Sequence, residues 1–313
     1  MFAAVLSPGK TLSRTALLSD PVPHFDYGGD GRALHFLHAN GYPPACYRPL
    51  FDRLAAQFHV FGMLLRPLWP GSDPSVLRDW KPFTEDLRYF LASGNDSPVI
   101  GVGHSIGAVV TLRAAIQEPS LFGALILIDP VLLPPRRIVQ LRVMRALGLG
   151  RRTNRMVQAA LRRRRRFDSL EQLFAGYRRR DIFHYFSDEH LRVLIDGLTR
   201  PTADGAFELV YSPEWEARIY ETSIWNDADL WNGIGSLLMP MLFLRGDETD
   251  TFFATTADMV QKKNPHTRIA SVPRATHLLP MERPDVVAAA IEEFLDASAV
   301  EHADVHVPAK GKR

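Results

Sequence analysis

Cysteine is nearly absent. A single one, Cys46, stands among 313 residues, so no intramolecular disulfide can form and the chain suits a reducing compartment. Net charge is also small: 37 Lys and Arg against 35 Asp and Glu leave +2, which argues against a surface built throughout to hold nucleic acid. Long apolar runs are missing, and none approaches the roughly 20 residues of a membrane-spanning helix. The short run Phe2 to Leu6 is followed, not preceded, by its charge at Lys10, the wrong order for a secretory signal. Residues 1–19 lack acidic side chains and contain Lys10 and Arg14; a mobile terminus over residues 1–22 is expected in preference to a transit peptide. The expected location is cytoplasmic.

With 46% apolar residues, a chain of this length can bury a large core, as one α/β domain with an insertion or as two ordinary domains. The most informative stretch is Val99-Ile100-Gly101-Val102-Gly103-His104-Ser105-Ile106-Gly107-Ala108-Val109-Val110. An apolar run ends in Gly-x-Ser-x-Gly and a helix-forming run follows. This reads as strand, sharp turn, helix, with the Ser105 hydroxyl pushed out at the top of a sheet. Gly103 and Gly107 stand where a Cβ would strike neighbouring backbone. His104 lies inside the motif, with its ring expected to point away from Ser105.

Strands and helices alternate on either side. Strands are expected at Pro23–Tyr27, Ala33–Leu37, Phe58–Leu65, Ala124–Ile128, Met241–Leu244 and Thr267–Val272, and helices at Tyr47–Gln57, Trp80–Leu91, Ala254–Lys263 and Pro284–Leu295. Such alternation implies an α/β fold, with a mostly parallel central sheet flanked by helices. The rhythm breaks from Val131 to about Leu237, where helix-like, arginine-rich segments take over. The expected layout is a core of residues 23–130 and 238–297, an inserted helical cap of 131–237, and a mobile tail of 298–313.

Active groups of such sheets gather where strand C-termini meet loops. Asn40, Ser105, Asp247 with Asp250, and His277 each fall at such an end. On Gly103-His104-Ser105-Ile106-Gly107, His38-Ala39-Asn40-Gly41, Arg245-Gly246-Asp247-Glu248-Thr249-Asp250 and Ala275-Thr276-His277-Leu278, the chain resembles the α/β-hydrolase superfamily over residues 23–297. The order nucleophile, acid, histidine is that family's order. The resemblance implies Ser105 as nucleophile and His277 as the base that takes its proton. Asp250 is the first choice for the acid that orients His277, with Asp247 and Asp129 as alternatives. The backbone N–H groups of Ile106 and Asn40 are the expected oxyanion donors. His38, Tyr42 and Trp215 are candidates for the substrate pocket. No metal or other cofactor is implied.

A serine nucleophile points to attack on a carbonyl carbon, with esters as the default small-molecule substrate. Thioesters, amides, lactones and activated C–C bonds stay open, as do acyl transfer to another acceptor and a non-catalytic ligand-binding relative. Aromatic residues crowd the cap, among them Phe174, Tyr177, Phe186, Trp215, Trp225 and Trp231, and suggest an apolar acyl or aromatic group between cap and sheet. Residues 131–200 hold 17 arginines against six carboxylates, five of them consecutive at Arg162–Arg166. A run of this kind is ordinarily a solvated helix face. The functional expectation is that it aids approach to an anionic membrane or acidic partner and takes no part in the chemistry.

Overall fold

A computed structural model describes residues 22–94, 97–147, 154–223 and 227–305. The N-terminal segment 1–21, Arg151, Arg152, Trp225 and the tail from 306 lie outside the described residues.

Seven strands form one sheet: β1 (His24–Gly28), β2 (Arg32–Leu37), β3 (Phe58–Met63), β4 (Val99–His104), β5 (Phe122–Ile128), β9 (Met241–Gly246) and β10 (Arg268–Val272). Their order is β1-β3-β2-β4-β5-β9-β10, and every pairing is parallel except that of edge strand β1 with β3. The core helices are α1 (Arg48–Leu54), α2 (Lys81–Gly94), α3 (Ile106–Gln117), α10 (Ala254–Lys263), α11 (Leu279–Glu282) and α12 (Pro284–Val305). Part of the expected tail is therefore helical, because α12 continues ten residues past Leu295.

Strand periodicity explains why both faces are covered. In β5, Leu125 and Leu127 join the apolar cluster that includes α2 and α3, while Ile126 and Ile128 join the cluster that includes α1 and α12. Met241 and Phe243 of β9 alternate with Leu242 and Leu244 in the same way.

Between β5 and β9 lies the insert, with α4 (Pro135–Ala146), α5 (Arg155–Leu161), α6 (Leu170–Arg178), α7 (Asp188–Leu198), α8 (Pro213–Thr222) and α9 (Ala228–Gly233). The insert is not helical throughout. β6 (Arg166–Phe167), β8 (Phe207–Leu209) and β7 (Thr199–Pro201) form a small antiparallel sheet. Helix α7 packs directly on the turn Pro44–Tyr47, where a Cβ on Gly197 would lie 2.6 Å from the Cys46 nitrogen. Arg113 of α3, only 2% exposed, pairs with Asp227 and with Asp229 at 3.1 Å, tying α9 to the helix behind Ser105. Among the described residues no helix is long and apolar enough to cross a membrane.

Three fully buried histidines, His35, His38 and His104, stand on or just after β2 and β4. Burial holds His35 at a pKa of about 3 and His38 at about 4, and puts His104 well below the ordinary imidazole value. All three are neutral in the native state near neutral pH, whereas the unfolded chain protonates them from about pH 6.5 downward. The unfolded state thus binds more protons, and these groups erode stability as pH falls from 6.5 toward their folded values. His35 Nε2 accepts the Met63 N–H at 3.1 Å, a bond that a glutamine oxygen can replace. Urea unfolding of a His35→Gln variant should therefore show less loss of stability between pH 6 and 4.5 than wild type, by about 1.4 kcal/mol per pH unit. Equal pH slopes would mean that His35 is not held neutral.

Candidate active site

The site begins with a backbone constraint. Ser105 links β4 to α3 with φ +59° and ψ −117°, a conformation L-residues avoid, and its N–H donates to Ile128 C=O at 2.9 Å. The turn closes only because its flanks lack side chains. A Cβ on Gly103 would sit 2.5 Å from the Gly107 carbonyl group, and one on Gly107 would sit 2.1 Å from the Leu37 oxygen. The geometry matches the sharp turn expected of Gly-x-Ser-x-Gly.

His277 arrives from the loop after β10. Its Nε2 lies 3.0 Å from Ser105 Oγ, and its Nδ1 lies 2.6 Å from Asp129 Oδ2. With the proton on Nδ1 donated to the carboxylate, Nε2 is left to accept the serine hydroxyl. The carboxylate is fully buried, accepts a second hydrogen bond from Thr249 Oγ1 at 2.6 Å, and belongs to a residue with φ +42°.

This overturns the first choice of Asp250. Asp250 is exposed, and its carboxylate accepts from Thr251 Oγ1 at 3.1 Å rather than from His277. Sheet order gives the reason. Asp129 follows β5, the strand beside β4, and sits one residue beyond Ile128, the register partner of His104. Asp250 follows β9, one strand farther out and four residues past the strand end. Its turn contributes Thr249 to the carboxylate instead. Asp247 serves the loop of His277: its Oδ1 accepts the Ala275 N–H at 3.3 Å. Glu282, not singled out by the sequence, clamps the same loop by accepting from Thr276 N–H and Oγ1, both at 2.7 Å.

Asn40 stands in the loop after β2, the strand beside β4, and Ile106 opens α3 next to Ser105. Among the described residues, neither backbone N–H has an acceptor in the chain. The Asn40 side chain donates from Nδ2 to Glu216 C=O at 3.1 Å. His38 is fully buried and braces this loop rather than facing a pocket: its Nε2 accepts the Leu65 N–H at 3.1 Å and its Nδ1 donates to Ala39 C=O at 2.9 Å. Trp215 is 3% exposed and packs in the core; it borders a cleft of about 630 Å³ with Trp69, Tyr89 and Glu85, in which neither Ser105 nor His277 takes part. Tyr42 is partly buried and lies near Arg163 and Tyr220 of the insert. Among the described residues no group of three or more metal-ligating side chains occurs.

The arginine run is solvated but not a helix face: Arg162, Arg164, Arg165 and Arg166 are exposed. Arg162 ends α5, and the next residues form a connection into β6. Arg163 pairs with Glu216 and donates to Tyr177 Oη at 3.1 Å; Arg164 pairs with Asp168 at 3.3 Å, Arg165 with Glu214, and Arg166 with Asp204. Four of the five charges are thus met by acids of this chain. The Arg163–Glu216 pair reaches the site itself, because a Cβ on Gly41 would lie 3.3 Å from Glu216 Cδ and 3.5 Å from an Arg163 guanidinium nitrogen.

The family model described as alpha/beta hydrolase family matches residues 36–290. The chain belongs to this family. A type I acyl-CoA thioesterase of Penicillium brevicompactum is 28% identical over 147 residues, covering 40% of this chain and 34% of its own length. The chain thus spans about a third of that thioesterase. A 2-(acetamidomethylene)succinate hydrolase of Mesorhizobium japonicum is 22% identical over 269 residues, covering 86% of this chain and 90% of its own. The crystal structure of an E-2-(acetamidomethylene)succinate hydrolase aligns with a TM-score of 0.69 at 20% identity, covering 88% and 95% of the two chains. That likeness concerns the fold. In this alpha/beta hydrolase, geometry ranks the carboxylates. Asp129→Asn should lower turnover by about 10³- to 10⁴-fold, because the amide favours the wrong imidazole tautomer. Asp250→Asn and Asp247→Asn should each cost less than about tenfold. Steady-state kinetics of the three variants checks the order.

Proposed function

We propose that this alpha/beta hydrolase is a serine hydrolase that cleaves carboxylic esters through an acyl-enzyme. The line Ser105 Oγ, His277 Nε2, His277 Nδ1, Asp129 Oδ2, with spacings of 3.0 and 2.6 Å at its two hydrogen bonds, carries the reading. His277 takes the Ser105 proton as Oγ adds to the substrate carbonyl carbon. Negative charge collects on the carbonyl oxygen, where the N–H groups of Asn40 and Ile106 would receive it. Collapse expels the leaving group, which takes the proton from His277. Water then repeats the sequence on the acyl-serine, and the carboxylic acid leaves. The Asp129 carboxylate orients His277 and stabilises the imidazolium that forms in each half.

The acyl group we propose is apolar or aromatic. Tyr42, Tyr177 and Tyr220 gather beside the Asn40–Gly41 loop, and pockets of this composition bind flat or apolar groups with a few polar contacts. A thioester is the second reading. The likeness to the type I acyl-CoA thioesterase named above favours it, and the same triad would attack either carbonyl.

A panel of aryl esters and acyl thioesters, graded in acyl length, tests both readings on wild type and Ser105→Ala. The variant should keep the fold and lose at least about 10³-fold in kcat. A serine-directed phosphonate should label Ser105 in wild type only. Unchanged turnover by a folded Ser105→Ala protein would sink the proposal. A preference for thioesters over matched esters beyond their intrinsic reactivity would decide for the second reading.

A further inference from the structure

Resting on the reading of Ser105 as nucleophile, we propose that Tyr47 and His104 are positioning residues that hold the oxyanion donor and the base in fixed relation. The structure shows a continuous hydrogen-bond chain between the two. It starts at Leu65, whose N–H donates to His38 Nε2 at 3.1 Å. His38 Nδ1 donates to Ala39 C=O at 2.9 Å. Ala39 N–H donates to Tyr47 Oη at 3.1 Å. Tyr47 Oη lies 2.8 Å from His104 Nδ1, and His104 Nε2 lies 2.8 Å from His277 C=O.

Donor and acceptor roles along this chain have one consistent assignment. A carbonyl only accepts, so His104 carries its proton on Nε2 and its Nδ1 must accept. Tyr47 therefore donates its hydroxyl proton to His104, which leaves the Tyr47 oxygen free to accept from Ala39. Both rings are fully buried, and His104 is held neutral, as this arrangement requires. No member of the chain can turn without leaving a buried polar group unpaired.

Ala39 is gripped on both sides, and this is what reaches the chemistry. Its C=O shares a planar trans peptide with the Asn40 N–H, so the two point in opposite directions. Holding Ala39 C=O toward His38 fixes the direction of the Asn40 N–H. Holding Ala39 N–H toward Tyr47 fixes the preceding plane. The far end of the chain holds the backbone of His277 itself. One buried hydroxyl, that of Tyr47, joins the loop that would bind the oxyanion to the loop that carries the base.

Tyr47→Phe removes that hydroxyl and keeps the ring, which packs against Phe36 and Phe51 at centroid distances of 4.8 and 6.0 Å. Kinetics should be expressed per active site titrated with the phosphonate, so that a smaller folded fraction does not count as lost catalysis. The expected result is a fall in kcat of about 10- to 100-fold with KM within about twofold, since one oxyanion donor alone is worth about 10²- to 10³-fold. A second readout separates positioning from mere stability. Thionoester substrates replace the carbonyl oxygen with sulfur, a larger atom and weaker acceptor. The preference of wild type for ester over thionoester should shrink in Tyr47→Phe. Unchanged kcat per titrated site together with an unchanged ester preference would overturn the proposal, even if the melting temperature dropped. Should Tyr47→Phe fail to fold, His104→Gln, which keeps a donor for His277 C=O, is measured by the same two readouts and judged by the same outcomes. Parallel measurement of Ser105→Ala keeps the two readings apart. Turnover surviving in Ser105→Ala refutes the nucleophile, whereas an inactive Ser105→Ala beside an unaltered Tyr47→Phe refutes the relay alone.

Discussion

The close approach of α3 to the sheet is the constraint on which the site depends. Ser105 can keep its left-handed conformation only while Gly107 lies against the Leu37 and His38 carbonyls and Gly103 lies against Gly107. Substituting either glycine would push the helix away from β2 and let the turn relax to an ordinary geometry. The surrounding apolar packing keeps the turn closed. From Ile106 to Ala115 every residue of α3 is buried, including Arg113, whose charge is met by Asp227 and Asp229. A helix so enclosed cannot shift outward without exposing much of the core.

Around this turn two buried, neutral imidazoles brace the loops. His38 and His104 each have one ring nitrogen donating and one accepting, so neither needs a charge. The Asp129 carboxylate is fully buried and meets two donors, His277 and Thr249. Low local polarity strengthens each of these bonds and penalises any broken one, which keeps the loops in a single arrangement. The cap belongs to the same system. Arg163 and Glu216 lie against Gly41, and the Glu216 carbonyl accepts from the Asn40 side chain. An inserted segment that reads as surface charge thus lies against the Asn40–Gly41 loop.

Local pattern was enough for the elements that carry Ser105 and His277. The Gly103–Gly107 motif follows from the collision a Cβ would suffer, a property of five residues and their flanks. Alternation of strands and helices was legible because the central strands β4 and β5 are buried on both faces and α2 buries one face. His277 was legible from its place between the last strand and the last long helix. The helix Ala254–Lys263 falls at its expected limits. These are consequences of covalent geometry and hydrophobic periodicity, which act over a few residues.

The acid and the arginines were decided by the tertiary structure. Asp129, Asp247 and Asp250 all follow strands, and nothing local states which strand end faces His277. Strand order does, because the carboxylate must reach across β4 and β5, neighbours in space though separated in sequence by α3. The pairing of the arginine run was hidden for a related reason. The run is solvated, as its composition suggests, but its partners Asp204, Glu214 and Glu216 are 38 to 53 residues away in sequence and meet it only when β6, β8 and α8 assemble. Tyr47, 57 residues from His104, carried no local mark of its role. Sequence by itself determined the strained turn, the covered parallel sheet and the elements that carry Ser105 and His277. The choice among equivalent carboxylates, and the bracing that fixes them, needed contacts between distant segments, which periodicity over a few residues does not encode.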